Sequence, residues 1–400
     1  MRLSIDTGSS DLWVNTPSSQ ICQSRQGPCS VAGTYTANTS STYKYVSSVF
    51  NVSYVDGSGA TGDYATDDVS IGSQTLKGLQ FGIGYNSGST QGILGVGYVA
   101  DESQVNSAHQ KPYSNTPQAM VDGGLIKSNA YSLWLDDLAA STGSILFGGV
   151  DTDKYTGELN TLPIQKVIGQ YAEFIITMTG ASVANNGKTT SLTQDLPAAV
   201  ILDSGSSISY LPNDLTNAIY TALSVQYNQR SGNALANCNL ANEQITLNFT
   251  FTSFSISVPI SELVINPNGQ LASNSQFSNQ ATCLFGISPS RGATPVLGDT
   301  FLRSAYVVYD LANNQISMAQ TNFNSTTSNV KEIGTGSGSV PGASVVSNAV
   351  QATVTQAGGA RGPGITATST STSTSGSWSL RAPWGVLAWV VVAVAVIAAA

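Results

Sequence analysis

The sequence predicts a mostly β protein of two related lobes with a few short helices, and three observations predict it. Two near-identical phrases stand far apart, Asp6-Thr7-Gly8-Ser9-Ser10 and Asp203-Ser204-Gly205-Ser206-Ser207. Each is followed downstream by two apolar residues and a glycine: Ile93-Leu94-Gly95 after the first, Val296-Leu297-Gly298 after the second. The chain is rich in Gly, Ser, Thr, Asn, Val and Tyr, while long helical periodicity is scarce, which argues against an α/β enzyme. A chain that builds one device twice can set the copies face to face about a pseudo-twofold axis.

The first phrase lies between Leu3 to Ile5 and Leu12-Trp13-Val14. The second lies between Ala198 to Leu202 and Ile208 with Tyr210-Leu211. Both read as a strand that enters a tight turn and delivers a carboxylate at its end. Gly8 and Gly205 are expected to let the backbone turn sharply there and aim N–H groups at the carboxylate. Ser9 and Ser206 carry hydroxyls able to donate to it. One such phrase alone is an ordinary Asx-type turn. Two in matching contexts make Asp6 and Asp203 a candidate catalytic pair. Facing carboxylates cannot both ionise easily, so one pKa rises, the other falls, and the pair titrates as a unit. Between the two transitions one is a base and the other an acid. The base can take a proton from a water held between them. The acid can hand a proton to the carbonyl oxygen that the water attacks. This chemistry requires no metal and no cofactor.

Phe50, Val52 and Tyr54 alternate with Asn51 and Ser53, the pattern of a half-buried strand. Asp56-Gly57-Ser58-Gly59 supplies a turn and Ala60 to Ile71 the return strand, giving a hairpin over 49–71 with Tyr54 near its tip. A short helix is expected over Pro117 to Asp122, ended by Gly123-Gly124. A longer one follows Pro212, with Asn213 as cap and Leu215, Ile219, Ala222 and Leu223 in one stripe.

Only 10% of residues are charged, and 23 acids against 15 bases give a net charge of −8. That disfavours nucleic acid as a partner and suits a protein working in acid. Four cysteines, Cys22, Cys29, Cys238 and Cys283, point to two disulfides in an exported chain. Zinc is the alternative, without Cys-x-x-Cys spacing or a histidine pattern to support it. His109 is the only histidine, in a polar loop with no neighbouring nucleophile, which disfavours Ser–His–Asp or Cys–His chemistry.

Over about Met1 to Phe323 these motifs resemble the pepsin-type aspartic endopeptidases, the standard example of a shared-proton carboxyl pair. The likeness is greatest to the fungal surface-anchored, yapsin-like branch. The resemblance implies a bilobal pepsin-like acid protease fold, with Asp6 and Asp203 catalytic and Ser9 and Ser206 in support. It implies that the Thr7 and Ser204 hydroxyls cross-link the two turns, Ser204 standing where Thr is commoner. It implies that the hairpin closes over a peptide, that Tyr54 packs on the substrate, and that Trp13 hydrogen-bonds Tyr54. Plain cross-strand packing is the alternative for Tyr54 and Trp13. Asp56 would border the pocket for the residue before the cut bond, where a carboxylate can pair with Lys or Arg. The alternative is that Asp56 merely starts a turn. The resemblance also pairs Cys22 with Cys29 and Cys238 with Cys283, and implies a monomer acting on peptides or proteins.

The expected organisation is an N-terminal lobe over 1–162 and a C-terminal lobe over 163–323. Residues 324–377, rich in Ser, Thr, Gly and Ala, read as a disordered, O-glycosylated stalk. Asn38, Asn51, Asn248 and Asn324 each begin an Asn-x-Ser/Thr sequon. Small residues Ser375-Gly376-Ser377, a spacer through Trp384 and an apolar end from Gly385 to Ala400 fit a glycosylphosphatidylinositol attachment signal over 378–400. A transmembrane tail is the alternative. The anchor reading implies a location at the cell surface, which the resemblance makes a fungal one. Met1 stands just before Asp6, with no signal or pro-segment. The chain therefore reads as N-terminally truncated, with a sheet edge left unpaired. The rival function is a non-catalytic cell-wall glycoprotein that binds peptides or matrix; the presence of both aspartates argues against it.

Overall fold

The computed structural model describes residues 1–24, 26–140, 142–266 and 281–354, with the backbone of 395–396. In each half the acidic turn joins two strands that are held apart by a third. Leu3–Asp6 and Leu12–Asn15 flank the first turn. Gly92–Gly95 returns between them, parallel to the former and antiparallel to Leu12 and Trp13. In the second half Ala198–Leu202 and Ser209–Leu211 flank the turn, and Val296–Leu297 enters between them with the same directions. So close an insertion requires glycine. A Cβ on Gly95 would lie 2.7 Å from main-chain atoms of Ser10 and Asp11. One on Gly298 would strike the carbonyl oxygens of Ser206 and Ile208. The repeated apolar element ends in glycine because the turn passes directly over it.

The first turn's sheet runs in the order Leu3–Asp6, Gly92–Gly95, Leu12–Asn15, Gln74–Ser87, Gly59–Ile71, Lys44–Ser53. Its last two strands are the predicted hairpin, whose first arm begins at Lys44. A second sheet joins chain from both halves, including Ala130–Trp134, Tyr155–Pro163, Ala305–Asp310 and Gln315–Thr321. Ala305–Asp310 is buried along its whole length and accordingly reads as a near-continuous apolar run. Disulfides join Cys22 to Cys29 and Cys238 to Cys283.

The helices form with three local differences. Thr116–Asp122 starts one residue early because Asn115 caps it, accepting from the Gln118 N–H at 3.4 Å. Asn213–Leu223 is capped at Pro212 with no side-chain bond, while Asn213 Oδ1 accepts from the Arg291 N–H at 3.0 Å. Leu215, Ile219 and Leu223 are buried together with Thr216 and Tyr220, which shifts the apolar arc and leaves Ala222 exposed at its rim.

The expected stalk is corrected as far as Val354. Val330–Glu332 pairs antiparallel with Gly149–Asp151, and Ala343–Val345 parallel with Leu159–Thr161. Ile333 is fully buried in a cluster with Trp134, Val150, Tyr306 and Val308. Ala352 and Val354 pack on a cluster formed by Val167, Ile175, Ala199 and Ile201. Averaged composition hid apolar residues spaced along a polar segment, each of which covers strand edge or sheet face. The rest of the expected stalk and the expected anchor signal lie outside the described residues, save 395–396. Among the described residues no helix is long and apolar enough to cross a membrane.

Ile333→Ala should cost about 2–5 kcal/mol of unfolding free energy. Urea melts measure it, and a cost below about 0.5 kcal/mol, typical of a surface site, would return the segment to a loose stalk.

Candidate active site

The two turns exchange hydrogen bonds across the pseudo-twofold axis. The Thr7 N–H donates to Ser204 Oγ at 3.2 Å, and the Ser204 N–H donates to Thr7 Oγ1 at 2.9 Å. Each hydroxyl then donates to a carbonyl at the end of the opposite strand: Thr7 to Leu202 at 3.0 Å, Ser204 to Ile5 at 2.9 Å. Every hydroxyl accepts once and donates once, so serine serves at 204 as well as threonine.

This exchange sets the Asp6 and Asp203 carboxyls side by side: a Cβ built on Gly205 would lie 2.8 Å from Asp6 Cγ and 3.1 Å from Asp203 Oδ1. Their oxygens are held alike. Asp6 Oδ1 accepts from the Gly8 N–H at 2.8 Å and Oδ2 from the Ser9 hydroxyl. Asp203 Oδ1 accepts from the Gly205 N–H at 2.8 Å and Oδ2 from Ser206 Oγ at 2.7 Å. The glycines do aim their N–H groups as expected, but neither has a positive φ. Space is what demands them. A Cβ on Gly8 would stand 2.5 Å from Asp203 Oδ1, and one on Gly205 2.8 Å from Asp6 Cγ.

Asp6 is 4% exposed. Burial, then the Asp203 carboxylate, push its pKa well above the ordinary range, while the Ser9 and Gly8 hydrogen bonds pull it back only in part. A third carboxyl, missed in the sequence, belongs to the same field. Asp299 follows Gly298, and burial lifts it to about 7, with Arg303 pulling down and Asp203 pushing up. Arg303 Nε is itself bonded to Glu262 Oε2 at 2.6 Å in a buried pair. The one signal for Asp299 was that it stands where the first copy has Val96.

The hairpin carries Tyr54 to Trp13, whose Nε1 donates to the tyrosine hydroxyl at 2.8 Å. Asp56 is exposed in the hairpin turn, and its Oδ1 accepts from the Ser58 N–H at 2.8 Å and the Ser58 hydroxyl at 2.6 Å. It therefore closes the turn. Burial, then the charges of Asp56, Tyr227 and Asp203, raise the pKa of Tyr210. Of the sequon residues, Asn38, Asn51 and Asn324 are exposed. Asn248 is part-buried within the strand Ile245–Phe251, its side chain bonded to Ser182 and Ser257. His109 lies in an exposed loop. Among the described residues no group of three or more His, Cys, Asp or Glu is placed to hold a metal.

Comparison with known proteins agrees with this geometry. Residues 1–321 match the family described as Eukaryotic aspartyl protease. The chain is 55% identical over 364 residues to "Probable aspartic-type endopeptidase opsB" of Aspergillus oryzae, covering 90% of this chain and 74% of that one. It is 36% identical to "Aspartic proteinase 3" of Saccharomyces cerevisiae, covering 79% of this chain and 55% of that one. Among solved structures, the aspartic proteinase from Irpex lacteus superposes with a TM-score of 0.62 at 25% identity, over 82% of this chain and 92% of the other.

The raised carboxyls give stability a definite pH dependence. Asp299 has an ordinary value of 3.8 and a folded value of about 7, so between them the folded state holds a proton that the unfolded state has lost. Its stabilisation is fully present below the lower value and is lost as pH rises through the upper; Asp6 acts in the same direction. Thermal midpoints should therefore fall from about pH 4 to about pH 7, and Asp299→Asn should flatten part of that fall. Scanning calorimetry across the range decides it; a profile that Asp299→Asn leaves unchanged counts against the assignment.

Proposed function

The chain belongs to the eukaryotic aspartyl protease family and is an aspartic-type endopeptidase, and from that premise we propose how, where and on what it acts. The observation that carries the mechanism is that Asp6 and Asp203 lie side by side, each held by a glycine N–H and a serine hydroxyl. The pair holds one proton. The ionised partner takes a proton from a water lying between the carboxyls, and the resulting hydroxide adds to the peptide carbonyl carbon. The protonated partner gives its proton to the carbonyl oxygen. The tetrahedral intermediate collapses when the proton gained from water passes to the leaving nitrogen; as the C–N bond breaks, one hydroxyl of the intermediate returns its proton to the carboxylate that had donated one, which restores the pair's single proton. The peptide lies extended between the lobes as an added strand, and Tyr54 closes above it. Activity belongs to acid, because a rising pH strips the shared proton.

The site of action in this reading is the outside of a fungal cell, with the protein a monomer held by a lipid anchor added near Ser375-Gly376-Ser377. Three features support it: two disulfides, which persist in oxidising compartments, the apolar C-terminal run, and fungal relatives. Substrates with a basic residue before the cut bond are favoured. Asp56 supports this, since both its hydrogen bonds go to Oδ1, and among the described residues Oδ2 takes none.

Fungal cells displaying the full-length protein should cleave peptides at about pH 4, and a statine-type inhibitor should stop them. Asp6→Asn should lower kcat by about 10²–10⁴-fold. Phosphatidylinositol-specific phospholipase should release the activity into the medium. Inhibitor-insensitive cleavage would end the dyad mechanism, and activity retained after phospholipase would end the lipid anchor. Separately, Asp56→Ala should cost on the order of tenfold in kcat/KM on a peptide with Lys before the cut bond and little on its Leu counterpart. An equal loss on both peptides would reduce Asp56 to a turn residue.

A further inference from the structure

The two catalytic phrases match over five residues save Thr7 against Ser204, which keeps the hydroxyl, and then diverge: the sixth is Asp11 in the first copy and Ile208 in the second. Both turns do the same work, so the turn itself does not need the Asp11 carboxyl. Asp11 is nevertheless 1% exposed and accepts three hydrogen bonds. The Tyr64 hydroxyl donates to Oδ1 at 2.5 Å, the Tyr113 hydroxyl to Oδ1 at 3.0 Å, and the Ser103 N–H to Oδ2 at 2.7 Å. Tyr64 lies on the return strand of the hairpin, fully buried. Its ring stands edge-on to Phe50 of the outgoing strand at 5.2 Å and to Tyr113 at 5.8 Å. Phe50 in turn meets Trp13, which holds Tyr54. Glu102, also fully buried, fixes the Tyr113 main chain by accepting from its N–H at 2.8 Å. Both arms of the hairpin are thus fastened to Asp11–Trp13, the stretch of chain that continues directly from the first catalytic turn.

We propose that Asp11 is a positioning residue whose carboxyl fastens the base of the hairpin to the catalytic turn and so sets the height of Tyr54 above the Asp6–Asp203 pair. The half that carries the hairpin has the carboxyl; the half whose matching residue is Ile208 does without it. Trp13 fixes the tip and Asp11 the root, and the hairpin closes as a lever between these two points. The inference rests on the hairpin acting as a lid over the dyad.

The test uses Asp11→Asn, Tyr64→Phe and the double variant in the full-length protein, with active sites counted by a tight statine-type inhibitor. Asparagine keeps the size but replaces an acceptor oxygen with a donor, so it cannot take all three bonds. Each single variant should lose about tenfold or more in kcat/KM per site on a peptide long enough to lie under the hairpin, mostly through KM. The double variant should lose no more than the worse single, because both cut one link. Amide exchange over residues 54–60 should quicken. A kcat/KM per site within about twofold of wild type, even with a lowered Tm, would overturn the proposal, as would losses that multiply. Should Asp11→Asn not fold, Tyr64→Phe and Tyr113→Phe face the same criteria. Tyr54→Ala separates the premise: if it leaves kcat/KM unchanged the lid reading fails, whereas its loss beside an unaltered Tyr64→Phe defeats only the role of Asp11.

Discussion

Everything at the centre of this molecule depends on the exchange of hydrogen bonds between Thr7 and Ser204. Two N–H groups and two hydroxyls satisfy one another and the carbonyls of Ile5 and Leu202 across the axis. Each bond is worth about 0.5–1.5 kcal/mol net, but a buried N–H left without its acceptor costs about 1–3 kcal/mol. Removing one hydroxyl, which strands its partner N–H, therefore costs more than the net worth of the bond it made. The exchange also fixes the turns at a spacing where two carboxyls must share a proton. Like-charge repulsion would otherwise push the lobes apart, and the same bonds oppose it.

Close approach explains most of the glycines near the site. Gly8 and Gly205 admit the opposite carboxylate, and Gly95 and Gly298 admit the turn above them. None of these four has a positive φ. Each is required by a neighbour from elsewhere in the chain, so a single added methyl would act on contacts made by the pseudo-symmetry itself. The two halves are alike where atoms meet on the axis and differ away from it. Asp11 against Ile208, and Asp299 against Val96, are the departures that tell one half from the other.

The site was legible where chemistry is written in consecutive letters. The two phrases, the apolar-apolar-glycine repeats and the alternation from Phe50 to Tyr54 each specify a turn or strand locally. What escaped notice depends on distant partners. Nothing beside Asp11 in the sequence announces Tyr64, Tyr113 or Ser103, and Asp299 gains its raised pKa from burial that only the folded chain supplies. The segment from 324 to 354 was misread for a related reason. Apart from the short alternation Val350, Ala352, Val354, its apolar residues are irregularly spaced, because they answer to edges and faces already built by other strands.

That segment touches both halves. It pairs with Gly149–Asp151 and Leu159–Thr161, and farther along it bonds through the N–H groups of Val350 and Ala352 to the hydroxyls of Thr252 and Thr177. Any mechanical pull arriving along the chain from beyond Val354 meets those two bonds and the Val354 contacts first. They yield one at a time from the distal end, like a seam opened from its loose corner. Tension meets them before it reaches Ile333, and because Ala352 and Val354 rest on Ala199 and Ile201, it also bears on the strand that leads into Asp203.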